Sequence, residues 1–348
     1  MDSFIQKLNA GEELSLADIQ LAVSYLLAED FDSHKKAAFL SALTNKKETA
    51  SEITHFVETL LTYAVDPEIN QLNLNTPTID VCGTGGDKLN LFNVSTTSMF
   101  VIAASGATVI KHGNRGITSK SGGADVLEEL GIKLDASTET LRKCLQTAQV
   151  GFLFAPQYHP SFKAIGPVRA ELAKQGIRTI FNLIGPLLNP AKPDHQLVGI
   201  CQNQLRNDYS EILAKLGRKS AWVVHGHTSD GHSVDELSTM GPTDVSTYSV
   251  DKGQSEFSVT PEELGISLAS VESLQGGFAK ENATILKDIL SGKETGAKRD
   301  IVLLNAAAGI TCAGLASDLP SALQIAANSI DSGKALEKLE AMQGVFLN

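Results

Sequence analysis

The chain is poor in several things, and each shortage closes off a class of function. It has 4 cysteines in 348 residues (Cys82, Cys144, Cys201 and Cys312), far apart and without a CxxC. Structural zinc and a disulfide framework are therefore not expected. Positive charge is also scarce: 29 Lys and Arg stand against 40 Asp and Glu, a net charge of −11. Proteins that hold nucleic acid usually carry a basic face, so no nucleic-acid partner is expected. A polyanionic ligand must instead be held by local devices: backbone amides, a few cations and a divalent metal. No uninterrupted apolar run approaches the ~18 residues of a membrane span, so no membrane is expected. The opening residues MDSFIQKLNAGEE are acidic and lack an apolar core, which predicts no signal peptide. Together these readings predict a soluble chain in a reducing, cytoplasmic setting.

What is present is enough apolar sequence for a packed core, 42% against 20% charged. The length suits one large or two modest domains. Residues 1 to about 70 read as amphipathic helices. Ser15 is a good N-cap before Leu16, Ile19, Val23, Leu26 and Leu27. Asp32 or Ser33 opens a second helix, and Thr49-Ala-Ser-Glu52 matches a capping box for a third. A polar segment with two prolines, 66 to 77, then leads into alternating strands and helices. Strands are expected at 78–82, 107–111, 150–154, 196–201 and 220–226, with edge strands at 243–250 and 256–260. The apolar run 300–316 is flanked by charge and interrupted by Asn305 and Gly309, which predicts a buried core helix. The expected fold class is α/β: a small N-terminal helical domain over 1–75, joined by a segment near 160–190, and a large domain over 76–348. The large domain has a mostly parallel central sheet flanked by helices.

The chemistry concentrates in the stretch from Asp80 to Asp125. Gly83-Thr84-Gly85-Gly86-Asp87 follows an apolar run, and Asn93-Val94-Ser95-Thr96 opens the next helix. Glycines let the backbone approach an anion, and amides at a helix N-terminus point at it. The turn is not a GxxxxGK[ST] P-loop, nor a Rossmann GxGxxG. Lys111-His112-Gly113-Asn114-Arg115 ends the following strand, and Lys111 and Arg115 bring positive charge to the same sheet edge. His112 by itself reads as structural. Ser119 to Gly123 offers more donors at a helix start. The stretch reads as a cradle for a phosphorylated substrate, with Gly83, Thr84, Gly85, Gly86, Asp87, Asn93, Ser95, Thr96, Lys111, Ser119 and Gly123 as its candidate residues. Asp235-Glu236 follows strand AWVVHG, and such a pair can reach Mg²⁺, which demands oxygen ligands. An isolated Asp-Glu pair is usually surface decoration, and Arg169 taken alone reads as a surface arginine.

Taken together, these motifs resemble the anthranilate phosphoribosyltransferases. The quoted residues are GTGGD at Gly83 to Asp87, Phe92 to Thr96, Lys111 to Arg115, Ser119 to Asp125, Tyr158-His159-Pro160, Pro167-Val168-Arg169, Arg178 to Pro190, and His225-Gly226 with Asp235-Glu236. The resemblance spans most of the chain in order, and extends more widely to pyrimidine nucleoside phosphorylases. It implies transfer of phosphoribose from phosphoribosyl pyrophosphate to the amine of anthranilate, in tryptophan biosynthesis, with Mg²⁺ and a homodimer formed through the helical domain. By resemblance Gly83, Gly85, Asp87, Asn93, Ser95, Thr96 and Lys111 contact the donor. Ser95, Asp235 and Glu236 contact Mg²⁺, while Gly83, Asn114, His159 and Arg169 line the anthranilate path. No acid or base catalyst is assigned. The alternatives are a relative acting on another aromatic acceptor and a non-catalytic, nucleic-acid-binding relative. Departures from the pattern are Lys88 where Gly is usual, Leu91 where Thr is usual, the extra residues Ala173-Lys174-Gln175, and a longer loop His227 to Val234 with His227 and His232.

Overall fold

The computed structural model describes residues 1–116 and 120–347. Ser119, a candidate donor residue, lies outside them. Among the described residues four helices come first: α1 (Asp2–Asn9), α2 (Leu16–Leu27), α3 (Ser33–Lys46) and α4 (Ala50–Leu61). An alternation follows through β1 (Thr78–Gly83), α5 (Val94–Ala104), β2 (Thr108–Gly113), α6 (Gly123–Glu129), α7 (Thr138–Thr147) and β3 (Val150–Phe154). A single turn, α8 (Ala155–Tyr158), and α9 (Gly166–Lys174) lead to β4 (His195–Gly199), α10 (Arg206–Lys215), β5 (Ser220–His227), β6 (Ser233–Val234), β7 (Thr243–Ser249) and β8 (Gly253–Val259). The chain closes with α11 (Val271–Leu274), α12 (Ala279–Leu290), α13 (Ala297–Cys312), α14 (Leu319–Asp331) and α15 (Lys334–Leu347).

Two units result. One holds Met1–Asp66 with Pro156–Pro190, and the other holds Pro67–Ala155 with Ala191–Asn348. In the first, helical unit, local sequence sets the helix starts. Ser15 and Asp18 form a reciprocal capping box on α2, and Asp32 caps α3. Thr49 and Glu52 do the same on α4. Glu52 has a second task. Buried beside Lys46 at 2.7 Å, it also accepts the Leu14 amide at 3.0 Å, so one carboxylate ties α4 to the start of α2. Helix α1, not anticipated from sequence, buries Phe4 and Leu8. Segment 156–190 is held to these helices by Thr44 Oγ1 on the Arg178 carbonyl (3.0 Å) and by the Val65 amide on the Tyr158 carbonyl (2.9 Å). α9 stops at Gly176, whose φ of 75° suits glycine, and the extra residues Ala173-Lys174-Gln175 form its last turn and cap.

The second unit is an eight-stranded sheet in the order β3-β2-β1-β4-β5-β7-β8, with β6 paired to β5. β3, β2, β1, β4 and β5 run parallel, while β7, β8 and β6 are antiparallel additions. Strands β1 to β5 are apolar and buried because helices cover a parallel sheet on both faces. α13 is the central helix: every residue from Ile301 to Ile310 is buried. Gly309 is needed there, since a Cβ would stand 2.5 Å from Ile102 Cδ1 of α5. The strand order reverses between β1 and β4. In open α/β sheets the crevice at the carboxyl ends of such strands is where ligands bind. β1 ends at Gly83 and β4 at Gly199, so the fold aims the GTGGD turn at that point. Among the described residues no helix is long and apolar enough to cross a membrane.

Candidate active site

Asp235 occupies the crevice because two glycines leave room for it. A Cβ on Gly83 would collide with its carboxylate, and one on Gly199 with its main-chain carbonyl. A third glycine, Gly226, seats the next residue, since its Cβ would stand 2.5 Å from the Glu236 carbonyl oxygen. The Gly85 amide donates to Asp235 Oδ2 at 2.6 Å, and the Thr84 amide donates to the Gly199 carbonyl at 2.9 Å. Thus the GTGGD turn and the Asp-Glu pair, 150 residues apart in the chain, form one structure. Gly85 and Gly86 have φ of 71° and 102°, conformations that need glycine.

Asp87 completes the carboxylate group through a hydrogen bond with Asp235. Burial, then the nearby Asp87 charge, pushes Asp235 up to about 7. Burial, then the charge of Asp235, pushes Glu236 up to about 8. Burial also raises Asp87. The Ser95 amide, in the first turn of α5, donates to Glu236. Lys111, buried on β2, gives its ammonium to the Val81 carbonyl and to Ser95 Oγ at 3.1 Å. Thr96 is buried beneath Gly123, where an added Cβ would stand 2.7 Å from Thr96 Oγ1 and 3.7 Å from Lys111 Cε. Asn93 sits at the N-cap of α5, yet its side chain does not cap; it donates to the Ser121 carbonyl at 3.2 Å.

Carboxylates with a hydroxyl suit a hard cation such as Mg²⁺, which keeps waters and phosphate oxygens as its other ligands. Among the described residues no group of three His, Cys, Asp or Glu side chains is placed to hold a metal unaided. A cation at Asp235 and Glu236 would draw its remaining ligands from Ser95, water and a substrate's oxygens.

Other candidates lie elsewhere. Asn114, at the end of β2, is exposed, and its Oδ1 accepts the Arg115 amide at 2.8 Å. Arg115 does not bring free charge to the sheet edge as expected: its guanidinium is bound by Glu128 at 2.6 Å and Asp125 at 3.0 Å. His112 is buried, and its amide donates to Asp80 at 3.3 Å. His227 pairs with Asp244 at 3.1 Å and His232 with Asp230 at 3.1 Å. In the helical unit, His159 Nε2 bonds the Leu188 carbonyl at 2.9 Å and its ring stacks on Phe162. Arg169 lies half-buried over the Phe181 ring at 5.2 Å, with one long bond of 3.5 Å to the Phe181 carbonyl. Among the described residues no carboxylate lies within ion-pair distance of it.

Sequence reasoning missed the residues that hold the site from behind. Buried Asn305 on α13 accepts the Leu237 amide and donates to the Leu237 carbonyl, both at 2.9 Å, and so fixes the residue after Glu236. Its signal was a polar residue inside an apolar helix. Gly199 carried no motif at all.

A parallel sheet with phosphate-type loops and a carboxylate pair at its switch point defines a class of phosphate-handling α/β proteins. The family comparisons are more specific. Residues 75–336 match the model described as "Glycosyl transferase family, a/b domain", and residues 2–64 match "Glycosyl transferase family, helical bundle domain". The anthranilate phosphoribosyltransferase of Methanocorpusculum labreanum is 44% identical over 339 residues, covering 97% of this chain and 95% of the relative. The crystal structure of the Thermus thermophilus anthranilate phosphoribosyltransferase superposes with a TM-score of 0.88 at 36% identity, covering 100% of both chains. The Saccharomyces cerevisiae anthranilate phosphoribosyltransferase in complex with PRPP and Mg gives 0.85 at 28% identity, covering 99% of this chain and 97% of that one. The chain belongs to this glycosyl transferase family, in its anthranilate phosphoribosyltransferase branch.

Proposed function

We propose that this chain transfers the phosphoribosyl group from phosphoribosyl pyrophosphate to the amine of anthranilate, releasing pyrophosphate, with Mg²⁺, as a step of tryptophan biosynthesis. The observation that carries the reading is the seating of Asp235 against Gly83, Gly85 and Gly199 at the sheet's switch point. Burial and neighbouring negative charge raise the carboxyls of Asp235 and Glu236, and a bound cation would let them ionise beside a polyanion. When bound, Mg²⁺ would neutralise the donor's diphosphate and draw charge from the bond to ribose C1. Asp235, Glu236 and Ser95 would hold it.

The chain's own groups have simpler tasks. The amine's lone pair forms the C1–N bond as the C1–O bond breaks, pyrophosphate takes that electron pair, and the amine loses a proton. An aromatic amine is already neutral near pH 7, so no strong base is required to prepare it. The work is positioning and charge stabilisation. Gly83 to Asp87, Asn93, Thr96, Gly123 and Lys111 supply donors and cationic charge around the leaving group. Arg169, whose guanidinium meets no carboxylate among the described residues, receives the acceptor's carboxylate in a charge-assisted pair. His159, Asn114 and Gly83 remain the other candidate acceptor contacts by resemblance to the family.

We further infer a homodimer through the helical unit. Leu16, Leu21, Tyr63 and Val65 leave 41–46% of their surface exposed there, an apolar set that a second copy would cover. The four cysteines are all free and mostly buried, which supports the reducing cytoplasm as the setting. The test of the reaction is steady-state loss of anthranilate fluorescence with donor and Mg²⁺. Consumption of anthranilate with one pyrophosphate released per turnover is expected. No consumption by folded protein would refute the assignment.

A further inference from the structure

Asn282 opens onto the donor cradle from a distant part of the chain. It lies on α12, is 3% exposed, and accepts the Gly277 amide through Oδ1 at 2.8 Å. Its Nδ2 donates to Asn93 Oδ1 at 2.8 Å and to the Gly277 carbonyl at 3.2 Å. Asn93 in turn donates from Nδ2 to the Ser121 carbonyl at 3.2 Å. The segment that carries Gly277 is laced to the donor loop: the Gly276 amide bonds the Asn90 carbonyl at 2.9 Å, and the Phe92 amide bonds the Leu274 carbonyl at 3.2 Å. Gly276 admits this approach, because a Cβ would stand 2.5 Å from Asn282 Oδ1 and 2.7 Å from Phe92 Cα.

The two ends of this chain of bonds are backbone groups with no choice of role. The Gly277 N–H can only donate, so Asn282 must turn its oxygen to it and its amide nitrogen to Asn93. The Ser121 carbonyl can only accept, so Asn93 must turn its nitrogen there. Both amides are thereby fixed in orientation. Asn93 Oδ1 is engaged by Asn282, and one of its two N–H bonds is engaged by Ser121. Beyond these bonds Asn93 keeps its second N–H for a ligand, besides one lone pair on the oxygen that Asn282 already occupies.

We propose that Asn282 is a positioning residue that sets the polarity of Asn93, so that Asn93 presents a hydrogen-bond donor to an oxygen of the phosphoribosyl donor. The proposal rests on the reading that this cradle holds that donor. It assigns Asn282 no contact with substrate. Its effect passes through Asn93, and it is confined to donor affinity.

The experiment is calorimetric binding of phosphoribosyl pyrophosphate with Mg²⁺ to the full chain and its variants, with thermal melts as a fold control. Asn282→Asp is close in shape and still accepts from Gly277, but it faces Asn93 with an acceptor. Asn93 is then caught between two acceptors: reversing relieves the contact with residue 282 but opposes its oxygen to Ser121 and to the ligand. Asn282→Asp is therefore expected to weaken donor binding about tenfold or more, and more than Asn282→Ala does. A space-filling role predicts the opposite order. In steady state the KM for donor rises while that for anthranilate stays within about twofold. Asn93→Ala with Asn282→Ala supplies a second test: the double variant should bind no worse than Asn93→Ala alone, because the two act as one unit. Donor binding by Asn282→Asp equal to wild type, or independent effects in the double variant, would overturn the proposal while leaving the reaction assignment intact. Failure of the wild-type chain itself to bind the donor would overturn both.

Discussion

Lys111 of the α/β unit and Arg169 of the helical unit are both cations drawn out of water, but the chain satisfies them differently. Lys111 gives hydrogen bonds to the Val81 carbonyl and to Ser95 Oγ, and the buried carboxylates of Asp235 and Glu236 are part of the same site. Arg169 rests on an aromatic ring and one long carbonyl contact, and burial lowers its pKa. A third cation, Arg115, is fully paired by Glu128 and Asp125. The difference separates three uses of positive charge. Arg115 is spent on two carboxylates, Lys111 is held by two oxygen acceptors, and Arg169 meets no carboxylate among the described residues, as its proposed acceptor role requires. Buried charge is costly without a partner, so an unpaired, half-buried guanidinium is the stronger pointer to a ligand.

The comparison can be broken at the α/β unit first. Gly199→Ala forces a methyl into the main chain of Asp235 and displaces the carboxylate pair. A misplacement of about 1 Å costs on the order of 100-fold in rate, so kcat/KM for donor should fall by about that much; activity within twofold of wild type would remove Asp235 from the site. Arg169→Ala comes next. Loss of a charge-assisted pair should raise the KM for anthranilate about 10- to 100-fold and leave the donor's within about twofold. Equal effects on both substrates would show that Arg169 only packs.

A smaller effect appears in pH dependence. The raised Asp235 and Glu236 carboxyls hold protons that the unfolded chain has released. Their contribution to stability is full below the ordinary carboxylate values of 3.8 and 4.5 and is lost as pH rises to about 7 and 8. The melting temperature of ligand-free protein should therefore decline across that window, and less so in Asp235→Asn. A wild-type decline no steeper than the variant's would mean that these carboxyls ionise normally. The smallest effect concerns Lys88, which holds φ at 61°. Lys88→Gly relieves left-handed strain of about 1 kcal/mol and should raise the melting temperature by about 1–2 °C. A lower melting temperature would mean that the side chain is held by contacts that outweigh the strain.

The elements were legible in the sequence wherever local chemistry decides them. Ser15, Asp32 and Thr49 cap the helices expected of them, and the five buried parallel strands stand within a residue or two of their apolar runs. α1 was not read because it is only eight residues long and lacks a side-chain cap, although Phe4, Ile5 and Leu8 stand at helical spacing, and β6 because it is two residues long. α14 and α15 follow each other closely, and Gly333 at φ 80° separates them. In the site, the GTGGD turn and the Asp-Glu pair were visible as types of residue. What could not be read were partners set by topology. Asn282 meets Asn93 across 189 positions and Asn305 meets Leu237 across 68. Glu128 and Asp125 pair with Arg115 from 13 and 10 positions further along the chain.

The carboxylates at the sheet's switch point are proposed to hold the cation on which donor binding depends. Titrating Mg²⁺ into wild type and into Asp235→Asn with Glu236→Gln, at fixed phosphoribosyl pyrophosphate, tests it most directly. Wild type should bind the donor only as Mg²⁺ is added. The double variant should need far more Mg²⁺ or show no saturable binding. Superimposable metal titrations of the two proteins would mean that Asp235 and Glu236 do not hold the cation.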